Sequence, residues 1–276
     1  MKPAPLFYAR AATLQDAIDS LESSVEEGRV MAGGQSLGPM LNLRLAQPKQ
    51  VIDISRLSEL RQAKIEGNVL AIGACVTHAQ IEDGDMPDVT LGLMPFVARG
   101  IAYRAVRNRG TIGGSIAHAD PAADWLTTTM AMDAALRLYA AAGHREIKVA
   151  DFIKGALETA IGKSEILTHV LVPRFFPGAR WGYAKYAKKL GDFAQSMAVA
   201  VVDPERELAR IVLGQRAEPP ALMRGTSELL AEKGYDPPRA ELVAAIEADL
   251  TRASIDPGDR TMHSAILARA VQDLMV

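Results

Sequence analysis

The chain has 276 residues, 49% hydrophobic and 23% charged, with a formal net charge of −2 and a pI near 6.2. This is an ordinary composition for a globular protein, and its charge balance argues against general affinity for nucleic acid or anionic membranes. No apolar run approaches the roughly 20 residues of a membrane span, and the start Met1-Lys2-Pro3-Ala4-Pro5 leads into no apolar signal segment, so a cytoplasmic protein is expected.

Thr13 opens a helix in which Leu14, Ala17, Ile18, Leu21 and Val25 recur at helical spacing until Gly28 stops it. Asp16 stands where a capping-box acceptor belongs. Arg29-Val30-Met31 reads as a short strand entering the turn Ala32-Gly33-Gly34-Gln35-Ser36. A short helix over 37–45 stops before Pro48, and Val51-Ile52-Asp53-Ile54 is a compact strand that closes a first α/β unit near residue 56. The second unit starts with the strand 69–73, and Thr77-His78-Ala79-Gln80 has capping-box form for a following helix. Another helix is expected over 91–99, then an arginine-rich loop and the turn Thr111-Ile112-Gly113-Gly114-Ser115. Helix resumes at Asp124. Residues 135–139 and 146–149 read as paired strands, 165–172 as a further strand, and Pro177-Gly178 as a boundary. Beyond it come three strands over 182–188, 194–202 and 208–213, then helices around 227–232, 239–250 and 261–275. Strands followed by helices point to an α+β domain.

The two glycine pairs carry the strongest chemical signal. Adjacent glycines allow positive φ and bring bare N–H groups close to a bulky anion. A nest of such N–H groups can hold phosphate oxygens without a lysine. Ser36, Thr111 and Ser115 each add a hydroxyl. Either pair alone also fits a tight turn or a close backbone approach; the two together match a diphosphate bridge. Gly33 and Gly38 have P-loop spacing, but Pro39 stands where the phosphate-binding lysine belongs, and no segment reads G-x-G-x-x-G. Cys75 is the only cysteine, which rules out an intrachain disulfide and a self-contained iron–sulfur cluster. His78, His118, His144, His169 and His263 show no metal-ligand spacing. No catalytic or metal-ligating residue is assigned, and any redox chemistry falls to an organic cofactor.

Along nearly its whole length the chain resembles the FAD-binding medium subunit of the molybdenum hydroxylases, the family of xanthine dehydrogenase and carbon monoxide dehydrogenase. The motifs that carry the resemblance are Ala32-Gly-Gly-Gln-Ser-Leu37, Val51-Ile-Asp-Ile54 and Val106-Arg-Asn-Arg-Gly-Thr-Ile-Gly-Gly-Ser115. His118-Ala-Asp-Pro-Ala-Ala-Asp124, Asp151-Phe152 and the stretch Lys185 to Ala194 complete them. The resemblance implies an α+β protein with a two-subdomain FAD-binding domain of the PCMH/vanillyl-alcohol-oxidase type over 1–177, divided at about residue 56/57. A C-terminal α+β domain of the carbon monoxide dehydrogenase flavoprotein type follows over 178–276.

The same resemblance places Val30, Met31, Ala32, Gly33, Gly34, Gln35, Ser36 and Leu37 on one side of the FAD diphosphate. Thr111, Ile112, Gly113, Gly114 and Ser115 line the other side. It puts Ile101 near the flavin ring, Asp124 on ribityl or adenosine polar groups, Leu167 on the adenine side and Lys185 at the flavin's polar edge. Phe193, where some relatives have Tyr, packs near the ring in this reading. Gln35 and Ser115 stand where some members have His and Asn, and Asp259-Arg260 replaces a Tyr-Arg pair. Arg99, Arg104, Arg107 and Arg109 belong to the flavin-side mouth, to a subunit interface or to a solvated face.

The implied function is electron transfer. Electrons from [2Fe–2S] clusters of a small partner subunit pass through FAD to an external acceptor, while a large molybdopterin-binding subunit transforms the substrate. The expected assembly is a dimer of heterotrimers, without nucleic acid or membrane span. A self-sufficient flavin oxidoreductase and a non-redox FAD-bearing scaffold are the alternatives.

Overall fold

The computed structural model describes residues 2–24 and 28–275. The first unit contains β1 (Phe7–Arg10), α1 (Leu14–Ser23), β2 (Gly28–Met31), α2 (Leu37–Asn42) and β3 (Gln50–Asp53), with the strands parallel in the order β1-β3-β2. Thr13 caps α1 in a full capping box with Asp16, as its sequence demands. The expected helical position Val25 lies outside the described residues. Ala17, Ile18 and Leu21 pack α1 onto Ile52, Ile54, Leu60 and Cys75. The edge strand β1 was not expected from the sequence: Phe7 and Tyr8 stay exposed, so no apolar alternation announces it.

The second unit is built on an antiparallel sheet of β4 (Ala63–Glu66), β5 (Val69–Gly73), β6 (Ala135–Ala140), β7 (Gly143–Lys148) and β10 (Ile166–Pro173), in the order β4-β5-β10-β6-β7. Between β5 and β6 run α3 (His78–Asp83), α4 (Leu93–Arg99), α5 (Arg104–Arg107), α6 (Ile112–His118) and α7 (Asp124–Ala131). The chain passes from β7 to β10 through α8 (Val149–Phe152) and the hairpin β8 (Ile153–Gly155) and β9 (Glu158–Thr159). One core joins this sheet to the helices: Leu70, Ile72, Leu136, Leu138 and Val170 meet Leu93, Met94, Ile116, Trp125 and Leu126.

The C-terminal unit is the antiparallel sheet β11 (Arg180–Tyr186), β12 (Ser196–Asp203), β13 (Leu208–Gln215) and β14 (Ala221–Leu222), followed by α9 (Arg224–Lys233), α10 (Arg239–Arg252) and α11 (Pro257–Gln272). Every residue of β12 is buried. The strand's two faces explain this. Val199 and Val201 join the core around α7, whereas Ala198, Ala200 and Val202 pack under the three C-terminal helices. Apolar residues from before and after Pro177-Gly178 therefore share one core. Strands followed by helices, and a mixed α/β architecture throughout, match the α+β class expected.

Candidate functional site

The two glycine segments meet. Gly34 has φ +70, and Gly33 is buried where an added Cβ would stand 2.0 Å from the Arg109 carbonyl oxygen. A Cβ on Gly114 would lie 3.8 Å from the Ala32 Cβ. Segments almost eighty positions apart in sequence thus pack backbone to backbone, and only glycine permits the approach at 33.

Their amides are disposed differently. The N–H groups of Gly33, Gly34, Gln35, Ser36 and Leu37 have no acceptor among the described residues. Ser36 is the N-terminal cap position of α2, so part of this row is the helix's own set of unsatisfied first-turn donors. The second segment is no turn. It is the first turn of α6, with Thr111 at the N-cap accepting from the Gly114 amide at 3.1 Å. Ile112 N donates to Val76 O, Gly113 N to Ala74 O and Ser115 N to Thr111 O, at 3.1, 3.1 and 3.0 Å. The expectation of a second amide nest is corrected here: the amides from Ile112 to Ser115 are consumed by the fold. What Thr111–Ser115 offers is the Thr111 amide, the Ser115 hydroxyl and a close, rigid wall.

Ile101 and its neighbour form a braced corner. Arg107 grips Glu82 with Nε and Nη2 at 2.8 and 3.0 Å, while its Nη1 donates to the carbonyls of Ile101 and Ala102 at 3.0 and 2.9 Å. Ala102 is held at φ +46 and donates to Gly191 O at 3.0 Å, which ties the corner to the loop that carries exposed Phe193. Arg104 is paired with Glu82 and Asp83, and Arg99 lies over the Phe96 ring. Three of the four arginines are therefore occupied within the chain.

Asp124 and Lys185 also come together. Lys185 Nζ lies 2.9 and 3.1 Å from the two Asp124 oxygens, and the Tyr183 hydroxyl donates to Oδ1 at 2.5 Å. Asp124 is 5% exposed, at the first turn of α7, where the helix dipole favours a carboxylate. Burial, then the Asp124 charge, hold the Tyr183 phenol well above its ordinary range. Leu167 stands apart from these groups, packed in the central core and paired with Leu138 on β6. Sequence reasoning missed Tyr183. The signal was available: Trp181, Tyr183 and Lys185 alternate along one strand and share a face.

Behind the glycine wall lies a neutral histidine. Trp125 Nε1 donates to His78 Nδ1 at 3.1 Å, and burial, with the Arg107 charge second, pushes His78 down to about 4. Cys75 is buried and its thiol is pushed up to about 12 by desolvation, so it is no nucleophile at neutral pH.

These features fit a dinucleotide. The open amide row suits a diphosphate, and the Arg109 backbone at Gly33 leaves no space for a side chain that would displace the row. The comparisons agree. Residues 3–175 match the family described as the FAD binding domain in molybdopterin dehydrogenase. The glyceraldehyde dehydrogenase medium chain of Sulfolobus acidocaldarius is 35% identical over 263 residues, 94% of this chain and 92% of that one. The carbon monoxide dehydrogenase medium chain of Hydrogenophaga pseudoflava is 34% identical over 237 residues, 84% of this chain and 82% of that one. A solved structure of carbon monoxide dehydrogenase from Hydrogenophaga pseudoflava superposes with a TM-score of 0.91 at 29% identity, covering 100% of this chain and 99% of the other. Quinoline 2-oxidoreductase from Pseudomonas putida 86 gives 0.83 at 29% identity, with 100% of both chains covered. With its glycine-lined amide row, its mixed α/β fold and a family match over most of its length, the chain belongs to the FAD-binding medium subunits of the molybdenum hydroxylases, which are oxidoreductases.

Proposed function

We propose that this chain is the electron-transfer subunit of a heterotrimeric molybdenum hydroxylase, relaying electrons from [2Fe–2S] clusters of a small subunit to an external acceptor. A large molybdopterin-binding subunit transforms the substrate, and two heterotrimers pair in the cytoplasm. The observation that carries this reading is the row of uncommitted amides from Gly33 to Leu37, with Gly33 against the Arg109 backbone and the preceding Ala32 beside Gly114.

In this reading Val30, Met31 and Ala32 aim the loop, and the amides of Gly33 to Leu37 hold the diphosphate. The Thr111–Ser115 start of α6 closes the opposite side as a rigid wall. Ile101, fixed by Arg107, borders the ring system, and Leu167 backs the adenine side from the core. Asp124 and Lys185 place a paired acid and a cation at the polar edge, where a cation stabilises developing negative charge. FAD supplies the exchange between one-electron and two-electron carriers; the chain supplies orientation, shielding and charge. The division at about 56/57 and at 177/178 assigns the glycine loop to one subdomain, its wall to the second and Lys185 to the C-terminal domain.

The test is a spectrum of the complex in which the chain purifies. Stoichiometric FAD whose bands bleach anaerobically with carbon monoxide, an N-heteroaromatic, a purine or an aldehyde supports the relay, provided the isolated FAD-loaded chain does not respond. An isolated chain that oxidises one of these by itself would overturn the relay in favour of a self-sufficient enzyme. Bands that never bleach would leave a scaffold.

A further inference from the structure

Asp124 has more donors than it needs for charge balance. An ionised carboxylate offers about four lone-pair sites. Lys185 takes both oxygens, and Tyr183 adds a bond to Oδ1 of the length usual for a hydroxyl on a carboxylate. The ammonium has three N–H donors, and among the described residues its hydrogen bonds all go to Asp124. Its side chain is 12% exposed, so little water competes for the remaining donor.

The Tyr183 ring cannot adjust freely. Phe96 meets it edge-on at 5.6 Å and leans on Trp181 at 5.3 Å, and the Trp181 indole N–H is fastened to Leu91 O at 2.9 Å. The phenol is thus held against the carboxylate by a braced aromatic stack that bridges α4 and β11. A second partner held this firmly on an already paired acid serves to divide that acid's charge.

We propose that Tyr183 is a positioning residue for the cofactor's redox-active ring: by sharing Asp124 with Lys185 it leaves the ammonium incompletely neutralised, with one N–H free for the ring's polar edge. The inference rests on the FAD reading above. Without the Tyr183 hydroxyl, the whole Asp124 charge falls on Lys185, and the positive field that favours the reduced ring weakens. Without the Asp124 charge, the field strengthens. The two changes therefore act in opposite directions, which a loss of packing would not do.

The experiment uses the full chain in the complex in which it purifies, loaded with FAD, with thermal unfolding and FAD content as checks on folding. Tyr183→Phe should lower the flavin midpoint potential by about 30 mV, a tenfold change in relative affinity for the two redox forms of a two-electron couple. Asp124→Asn should raise it, and adding Tyr183→Phe to Asp124→Asn should produce no further fall. Unchanged potentials, or shifts of the same sign in a folded, FAD-loaded protein, would overturn the role of Tyr183 alone. A wild-type complex that holds no FAD would overturn this role together with the FAD reading.

Discussion

Gly33→Ala is the sharpest perturbation the site allows. The new Cβ falls 2.0 Å from Arg109 O, 2.8 Å from Arg109 C and 3.0 Å from Gly110 Cα, all backbone atoms with no flexible end to swing away. Ordinary contact begins near 3.4 Å, so the loop and the α6 approach must part by about 1.4 Å. Overpacking of this kind costs about 1–3 kcal/mol, and here the amide row is what gives way. Amides that converge on a diphosphate lose alignment together, and each hydrogen bond to a charged group is worth about 1.5–3 kcal/mol. Losing the equivalent of one or two such bonds is about 3 kcal/mol, or roughly a hundredfold in the FAD dissociation constant. Fluorescence titration with FAD measures this, and thermal unfolding shows whether the fold survives. Gly38→Ala is the control: nothing lies within 4 Å of its added Cβ, and affinity should stay within about twofold. A folded Gly33→Ala protein that binds FAD as tightly as wild type would refute the reasoning.

Two further outcomes follow from the surroundings. Thr111→Val removes the N-cap acceptor of α6 and should destabilise the fold by about 1 kcal/mol in chemical denaturation, whereas Thr111→Ser should not. His78, held neutral at about 4 in the fold, regains its ordinary value near 6.5 on unfolding. The unfolded state then binds the extra proton, so stability is full above pH 6.5 and falls as pH drops towards 4, by about 3 kcal/mol in all. Replacing His78 with Gln should flatten that part of the stability–pH curve; a slope that persists would assign it to other groups.

Much of this architecture was legible because its signals are local. The Thr13 and Thr77 capping boxes, the paired strands around 135–148 and the three C-terminal helices follow from patterns a few residues long. The edges were harder. β1 and β4 leave Phe7, Tyr8, Lys64, Ile65 and Glu66 exposed, so they show no alternation of buried and exposed residues and are fixed by pairing with β3 and β5. At the site, the glycine pairs showed that backbone must approach something closely. They could not show that Gly33 meets Arg109, nor that Tyr183 reaches Asp124, because those contacts belong to the assembled units. The arginines illustrate the same limit: Arg107 reads as a surface charge in sequence, yet it braces the Ile101 corner.

The asymmetry between the two glycine pairs changes what each should do when altered. Gly113 donates its amide to Ala74 O, and its added Cβ would stand 2.4 Å from Ala74 Cβ and 2.6 Å from Ala74 Cα. That glycine lets α6 lie flat on the strand exit after β5; its amide has no donor left for a phosphate. Gly113→Ala must lift the first turn of α6, which should destabilise the fold by about 1–3 kcal/mol. Folded molecules should still bind FAD within about tenfold of wild type, because the open amides of Gly33 to Leu37 are untouched. Unfolding curves and FAD titration on the same preparation separate the two effects. If Gly113→Ala lost FAD with its stability intact, the α6 turn would have to hold the diphosphate itself, by opening bonds that the fold now closes.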